Sequence, residues 1–230
     1  HTWGCFDYSQ QEPRLVVHYA ALEKFPSVYD VVDEYNENIA TDFHKTVAEM
    51  ADIPRSQAKT INLGLFYGMG KTKLQAELGV TKEKAEDLFA QYHAKVPFVK
   101  NLMSAVSNRA QDYGKIRTLL GRLCRFDLWE PNMFGMHKAL PQDQATKEHG
   151  PGIKRAYTYK ALNKLIQGSA ADMTKKAMVD LYKEGIVAHI QIHDELDLSV
   201  ESQEHANKII EIMENAVKLE VPNKVDYESG

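Results

Sequence analysis

Three groups of residues in this 230-residue chain carry chemistry. Asp7, within Cys5–Gln10, and Asp194, within Ile192–Glu195, are acidic stations at opposite ends of the sequence. Between them Arg55, Lys59, Leu63 and Tyr67 recur at every fourth residue, so on a helix they form one slowly drifting stripe. Carboxylates suit hard divalent cations, which take oxygen ligands and keep several waters. Two cationic side chains, an apolar plate and an aromatic ring in line suit a polyphosphate, a sugar and a base. Together these are parts for phosphoryl transfer from a nucleoside triphosphate by a pair of metal ions. Singly, each is weak. An Asp at a hairpin turn is most often a turn former, and a charged stripe is most often a solvated helix face.

The elements that must position these residues follow from periodicity and punctuation. Trp3 to Tyr8 reads as a short strand, and Ser9 to Glu12 has the form of a capping box opening a helix. Pro13 is tolerated only in a first turn, so that helix is expected to start slightly later than the capping box suggests. Thr41 and Asp42 form the N-cap of a helix ending before Pro54, and Thr81 opens a helix over 82–95. A third runs from Phe98 to Tyr113 and stops at Gly114. Gly64 and Gly68 remove side-chain bulk, and Gly68 with Gly70 lets the stripe helix end or hinge. Residues 115–121 read as extended, and 129–152, without a period, as a surface loop or insertion. A long helix is expected over 156–183, a hairpin over 186–200 turning at His193–Glu195, and a helix over 203–219 before a last strand. The fold class is α+β, a small antiparallel sheet from both chain ends with a mostly helical block inserted. The expected divisions are 1–27, 28–128, 129–155 and 156–230.

Composition bounds the class. With 43% apolar and 26% charged residues the chain is an ordinary globular one, with no run approaching a membrane span and no signal peptide. Cys5 and Cys124 lack any CxxC neighbour and His149 stands far from a second ligand cluster, so a disulfide or zinc site is not expected and a reducing cytoplasm is. Net charge is −4, yet residues 55–125 hold 13 Lys/Arg against 5 Asp/Glu while 177–230 hold 4 against 12. A basic middle beside an acidic end fits a phosphate-gripping surface next to a cation-collecting one. Because the chain opens on His1 and stops within a strand-like segment, it reads as a piece of a longer polypeptide.

In this order the segments resemble motifs A, B and C of the DNA polymerase I family, phage members in particular. The resemblance implies a palm (1–27 and 156–230), fingers (28–128) and an insertion (129–155), with thumb and exonuclease lying outside this chain. It implies that Asp7 and Asp194 bridge two Mg²⁺ ions, Mn²⁺ being an alternative, with the Tyr8 carbonyl as a further ligand. It assigns Arg55 to the outer phosphates and Lys59 to those nearer the reaction, with Lys59 also the general acid for pyrophosphate. Tyr67 would lie by base and sugar, and Glu12 would crowd a ribose 2′-hydroxyl. Gln10 and His44 join the nucleotide contacts, although His44 could equally be a surface histidine. Asn163 and Gln167, in a run through Asp172, would check the minor groove of the new pair. His193 would approach the primer terminus, with Glu195 beside it on the DNA. Arg117 and Arg122 are expected backbone contacts. Leu63 departs from the family's aromatic and is expected to alter nucleotide handling, including dideoxynucleotide discrimination. The partners implied are primer–template DNA and dNTP, with a processivity factor left open, acting on a monomeric enzyme in the (host) cytoplasm. The isolated chain is expected to hold primer–template poorly. A single-subunit RNA polymerase and a catalytically dead nucleic-acid-binding module are the alternatives.

Overall fold

Alternation along Thr2–Tyr8 builds β1: Gly4, Phe6 and Tyr8 point inward, while Cys5 and Asp7 face outward. In the computed structural model, which describes residues 2–67, 69, 71–133 and 135–230, this strand is the hinge of the architecture. It pairs antiparallel with β8 (Glu195–Val200) on one side and β9 (Val225–Ser229) on the other, and β7 (Ile190–Ile192) extends the sheet beyond β8. The sheet therefore joins the two chain ends, as expected from the α+β reading. Its inner face packs on α1 (Gln11–Leu22), α9 (Ala161–Lys183) and α10 (Gln203–Glu214) around Phe6, Leu15, Val16, Met173, Leu196 and Leu198, all nearly or fully buried. The Tyr8 hydroxyl donates to the Met213 carbonyl at 2.6 Å, tying β1 to the end of α10.

The inserted block is helical. α2 (Tyr29–Glu37) precedes α3 (Phe43–Ala51), which Asp42 caps by accepting from the N–H groups of His44 and Lys45. α4 (Arg55–Phe66) carries the stripe, and its inward residues Ala58, Ile61, Asn62, Leu65 and Phe66 are buried. Gly64 sits where α5 (Lys71–Leu78) crosses: a Cβ there would stand 2.6 Å from Leu74 Cδ1. The hinge expected at Gly68 and Gly70 lies outside the described residues. Thr81 caps α6 (Lys82–Lys95), and α7 (Pro97–Tyr113) ends at Gly114 with φ 66°, the left-handed stop that glycine accepts without strain.

Several sequence expectations change. The capping box at Ser9 does not form: Gln10, in the left-handed region with φ 53°, is the N-cap of α1 and makes no capping bond. Arg14 does the anchoring instead. Its guanidinium donates to the carbonyls of Ser9 (2.9 Å), Pro222 and Ile39 (2.7 Å), with the ring of Tyr35 4.6 Å away. Residues 129–152 are not a loop. They run through β4 (Leu128–Pro131), β5 (Leu140–Pro141) and α8 (Gln142–His149), and with β6 (Ile153–Arg155) form a three-stranded sheet in the order β5-β4-β6. The strands are too short to show a period, and Arg155, stacked 4.5 Å over Trp129, holds them to α7 through the Gln111 carbonyl and to the link before β4 through the Phe126 carbonyl. Only 115–117 of the expected extended stretch is strand, β2, paired with β3 (Leu123–Arg125).

Candidate active site

The register of the sheet brings the two acidic stations together. Asp7 on β1 faces Glu195 on β8, so Asp194, one residue before and at the β7–β8 turn, lies beside Asp7. Partial burial and then the neighbouring Asp194, Glu195, Glu12 and Glu228 push the Asp7 carboxyl up to about 6. Asp194 is also raised, by burial and by Glu12, with His193 working the other way. A carboxyl raised by the carboxylates around it, as Asp7 is by Asp194, lies close to them without enough positive charge between. His193, at φ 55°, takes the left-handed position of the turn and stays exposed.

Beside Asp194 opens a cleft of about 440 Å³ whose lining includes Glu12, Tyr67, Gln167, His193 and Asp194 but not Asp7. Glu12 sits at its centre, accepting from the Gln167 amide at 3.1 Å and from the Tyr67 hydroxyl at 3.4 Å. The stripe is outward-facing as expected: Arg55, Lys59 and Tyr67 are exposed and Leu63 half-buried. Its Tyr67 end reaches the cleft, and its Arg55 end is held by Asp42, whose Oδ2 accepts at 2.8 Å. Burial works to raise Asp42, but Arg55 and the N–H groups of Lys45 and His44 outweigh it and hold the carboxyl low. Lys59 makes no ion pair among the described residues.

His44 is not on the surface but 7% exposed beneath the stripe. Burial, reinforced by Arg55 and Lys59 and opposed by Asp42, pushes it down to about 4, so it is neutral. Its Nδ1 lies 3.0 Å from the Asn62 amide nitrogen, and the Asn62 carbonyl oxygen accepts from the fully buried Tyr92 hydroxyl. A buried hydroxyl needs an acceptor, so Asn62 turns its oxygen to Tyr92 and its NH₂ to His44. The imidazole proton is thereby left on Nε2. Sequence reading missed Asn62 and Tyr92; Asn62 sits inside the stripe run and was legible there, whereas nothing around Tyr92 marks it.

Other expected contacts are redistributed. The Gln10 amide is occupied between the Thr41 carbonyl (3.0 Å), the Phe43 N–H (2.9 Å) and the Tyr35 hydroxyl, bracing α1 against α3 rather than facing the cleft. Arg122 is bound to the buried Asp172 and to the Gly168 carbonyl (2.6 Å), clamping the β2–β3 hairpin onto α9. Arg117 is exposed, with one bond to the Gly121 carbonyl at 3.1 Å. Asn163 is half-buried on α9, one turn before Gln167 and outside the cleft lining. Burial first, and then Asp197, Asp194 and Glu228, raise Glu195, which sits in a strongly acidic setting.

Two carboxylates thus lie close together on an antiparallel sheet, beside a cleft that the Tyr67 end of a cationic helix stripe reaches. A family model described as DNA polymerase family A matches residues 1–230. A DNA-directed DNA polymerase of Pseudomonas phage M6 is 36% identical over 99% of this chain and 37% of its own length. DNA polymerase I of Geobacillus stearothermophilus is 32% identical over 97% of this chain and 25% of its own. A solved structure of the POL domain of Pol1 from M. smegmatis, in complex with DNA primer-template and dNTP, superposes with a TM-score of 0.77 at 27% identity, covering 100% of this chain and 39% of that one. The chain belongs to DNA polymerase family A, and it spans well under half the length of these relatives. Among the described residues no helix is long and apolar enough to cross a membrane.

Proposed function

We propose that this chain is the catalytic core of a phage-type DNA-templated DNA polymerase, adding deoxynucleotides from dNTPs to a primer 3′ end. The observation that carries the reading is the convergence of Asp7 with Asp194, which lines a cleft walled by Glu12, Tyr67 and Gln167. An all-carboxylate donor set crowded by its own charge fits hard divalent ions, Mg²⁺ first and Mn²⁺ as a substitute. Asp7 and Asp194 would hold them with the Tyr8 backbone carbonyl, since the Tyr8 hydroxyl is engaged by Met213. When bound, two such ions activate the primer hydroxyl and stabilise the departing pyrophosphate.

The chain's own residues do the rest. Lys59, without an ion pair among the described residues, holds the phosphates nearer the reaction and supplies a proton to pyrophosphate. Arg55 exchanges Asp42 for the outer phosphates, and His44 offers them its Nε2–H. Tyr67 and Glu12, already in contact, close the space a ribose 2′-hydroxyl would need. Gln167 with Asn163 reads the minor-groove acceptors that every base pair shares. His193 lies at the primer end, and Arg117 meets a backbone phosphate. Leu63 supplies the nucleotide with an aliphatic plate in place of an aromatic one.

Primer extension by the full-length parent protein tests this. Extension with dNTPs but not rNTPs, dependent on Mg²⁺ and lost in Asp194→Asn, is expected. Glu12→Ala should narrow the dNTP preference by about tenfold or more, the scale of one lost steric discrimination. Equal use of rNTPs by wild type, or undiminished extension by Asp194→Asn, would refute the reading.

A further inference from the structure

We propose that Cys5, Glu195 and Asp197 form a separate divalent-cation site on the outer face of the palm sheet, suited to a thiophilic ion of the zinc class. The β1–β8 register sets Cys5 opposite Asp197 and Asp7 opposite Glu195, so these side chains share one face. The Cys5 sulfur and a carboxylate oxygen from each of Glu195 and Asp197 all lie within 4.8 Å of one another. From the other side, β9 places Glu228 opposite Cys5. No zinc-like spacing announces this in the sequence, because the ligands come from strands at opposite chain ends.

A second observation points to a ligand. Asp197 is only 6% exposed, yet its Oδ1 has no hydrogen-bond partner. A buried carboxylate oxygen without a donor is costly, and the only side chains that hydrogen-bond to Asp197 among the described residues are the Cys5 thiol and the Glu195 carboxyl, neither of which brings positive charge. Among the described residues no Lys, Arg or His forms an ion pair with Glu195, Asp197 or Glu228. A bound cation supplies the missing counter-charge.

The donor set selects the ion. One thiolate and two carboxylates match the tetrahedral site of Zn²⁺ with one position left open, whereas Mg²⁺ takes oxygen ligands in octahedral geometry. On binding, the Cys5 thiol loses its proton to solvent and the sulfur becomes a ligand, so one proton leaves per ion bound. Cys5 and Asp7 are two residues apart on β1, about 7 Å along the strand, so the site neighbours the Asp7–Asp194 pair without using either carboxylate.

The test is a Co²⁺ titration of the metal-free full-length protein, read as thiolate-to-cobalt charge-transfer absorption and as proton release. The expected result is a band that saturates at one ion per chain, is removed by Zn²⁺ and persists in excess Mg²⁺. Cys5→Ser should abolish it, Asp197→Asn should weaken binding about tenfold or more, and Cys124→Ser should leave it unchanged. Circular dichroism of each variant shows that loss of the band is not loss of fold. No band, a band surviving Cys5→Ser, or displacement by Mg²⁺ overturns the site. The readout does not involve primer extension, so it stands or falls separately from the polymerase reading.

Discussion

At the scale of single residues, the carboxylate pair trades stability for cation binding. Asp7 rests near 6 against an ordinary 3.8, so its ionised form is disfavoured in the folded, metal-free protein. The penalty is fully present above pH 6, where folded and unfolded chains are both ionised, and it fades as pH falls from about 6 to about 4. Asp7→Asn should therefore raise metal-free stability at pH 8 by up to about 1 kcal/mol, a figure lowered for the carboxylate's exposure. Urea denaturation in EDTA at pH 8 and pH 4 should show the gain only at the higher pH, and extension with Mg²⁺ at pH 8 should be lost. A second prediction concerns the layer under the stripe. Tyr92→Phe leaves the Asn62 oxygen buried without a donor, which costs about 1–3 kcal/mol. It also releases Asn62 from its orientation, so ¹⁵N NMR of His44 should show a mixed tautomer in place of Nε2–H alone. An unchanged His44 spectrum would mean that Tyr92 does not set the proton.

At the scale of elements, the site depends on how β1 hands over to α1. That junction carries Asp7 and Glu12 within one short stretch, and Arg14 holds it through the Ser9 carbonyl and the main-chain carbonyls of two distant segments, at Ile39 and Pro222. Arg14→Met keeps the apolar stem but leaves those acceptors without donors. A loss of about 3 kcal/mol or more in urea is expected, with a larger fall in extension than in the chain's secondary structure. Lys would not rescue it, because an ammonium cannot reproduce the planar fork. Gly64 plays the matching role on the other wall. Gly64→Val should drive Leu74 out of place and tilt α5 from α4, read as a rise in KM for dNTP.

At the scale of the whole molecule, charge is divided between surfaces rather than summed. The chain is net acidic, yet its helical block is basic and its sheet end acidic. Binding of the full-length protein to primer–template should therefore weaken steeply with salt, log K falling linearly against log salt concentration. Arg117→Ala should reduce that slope by about one without changing sequence preference. A flat salt response would argue that the basic block does not meet DNA.

Much of this was written in the chain itself. Strand alternation at 2–8 and 195–200, the Asp42 and Thr81 caps, the Gly114 stop and the fourfold spacing of the stripe are local, so residue type and period suffice to read them. What sequence order could not supply were pairings made by distant segments. The carbonyls that make Arg14 an anchor, the Tyr92–Asn62–His44 hydrogen bonds, the Asp172 clamp on Arg122 and the grouping of Cys5 with Asp197 all join residues from separate elements. Whether a polar side chain meets substrate or neighbour depends on which groups burial brings within hydrogen-bond reach, and burial is a property of the packed fold.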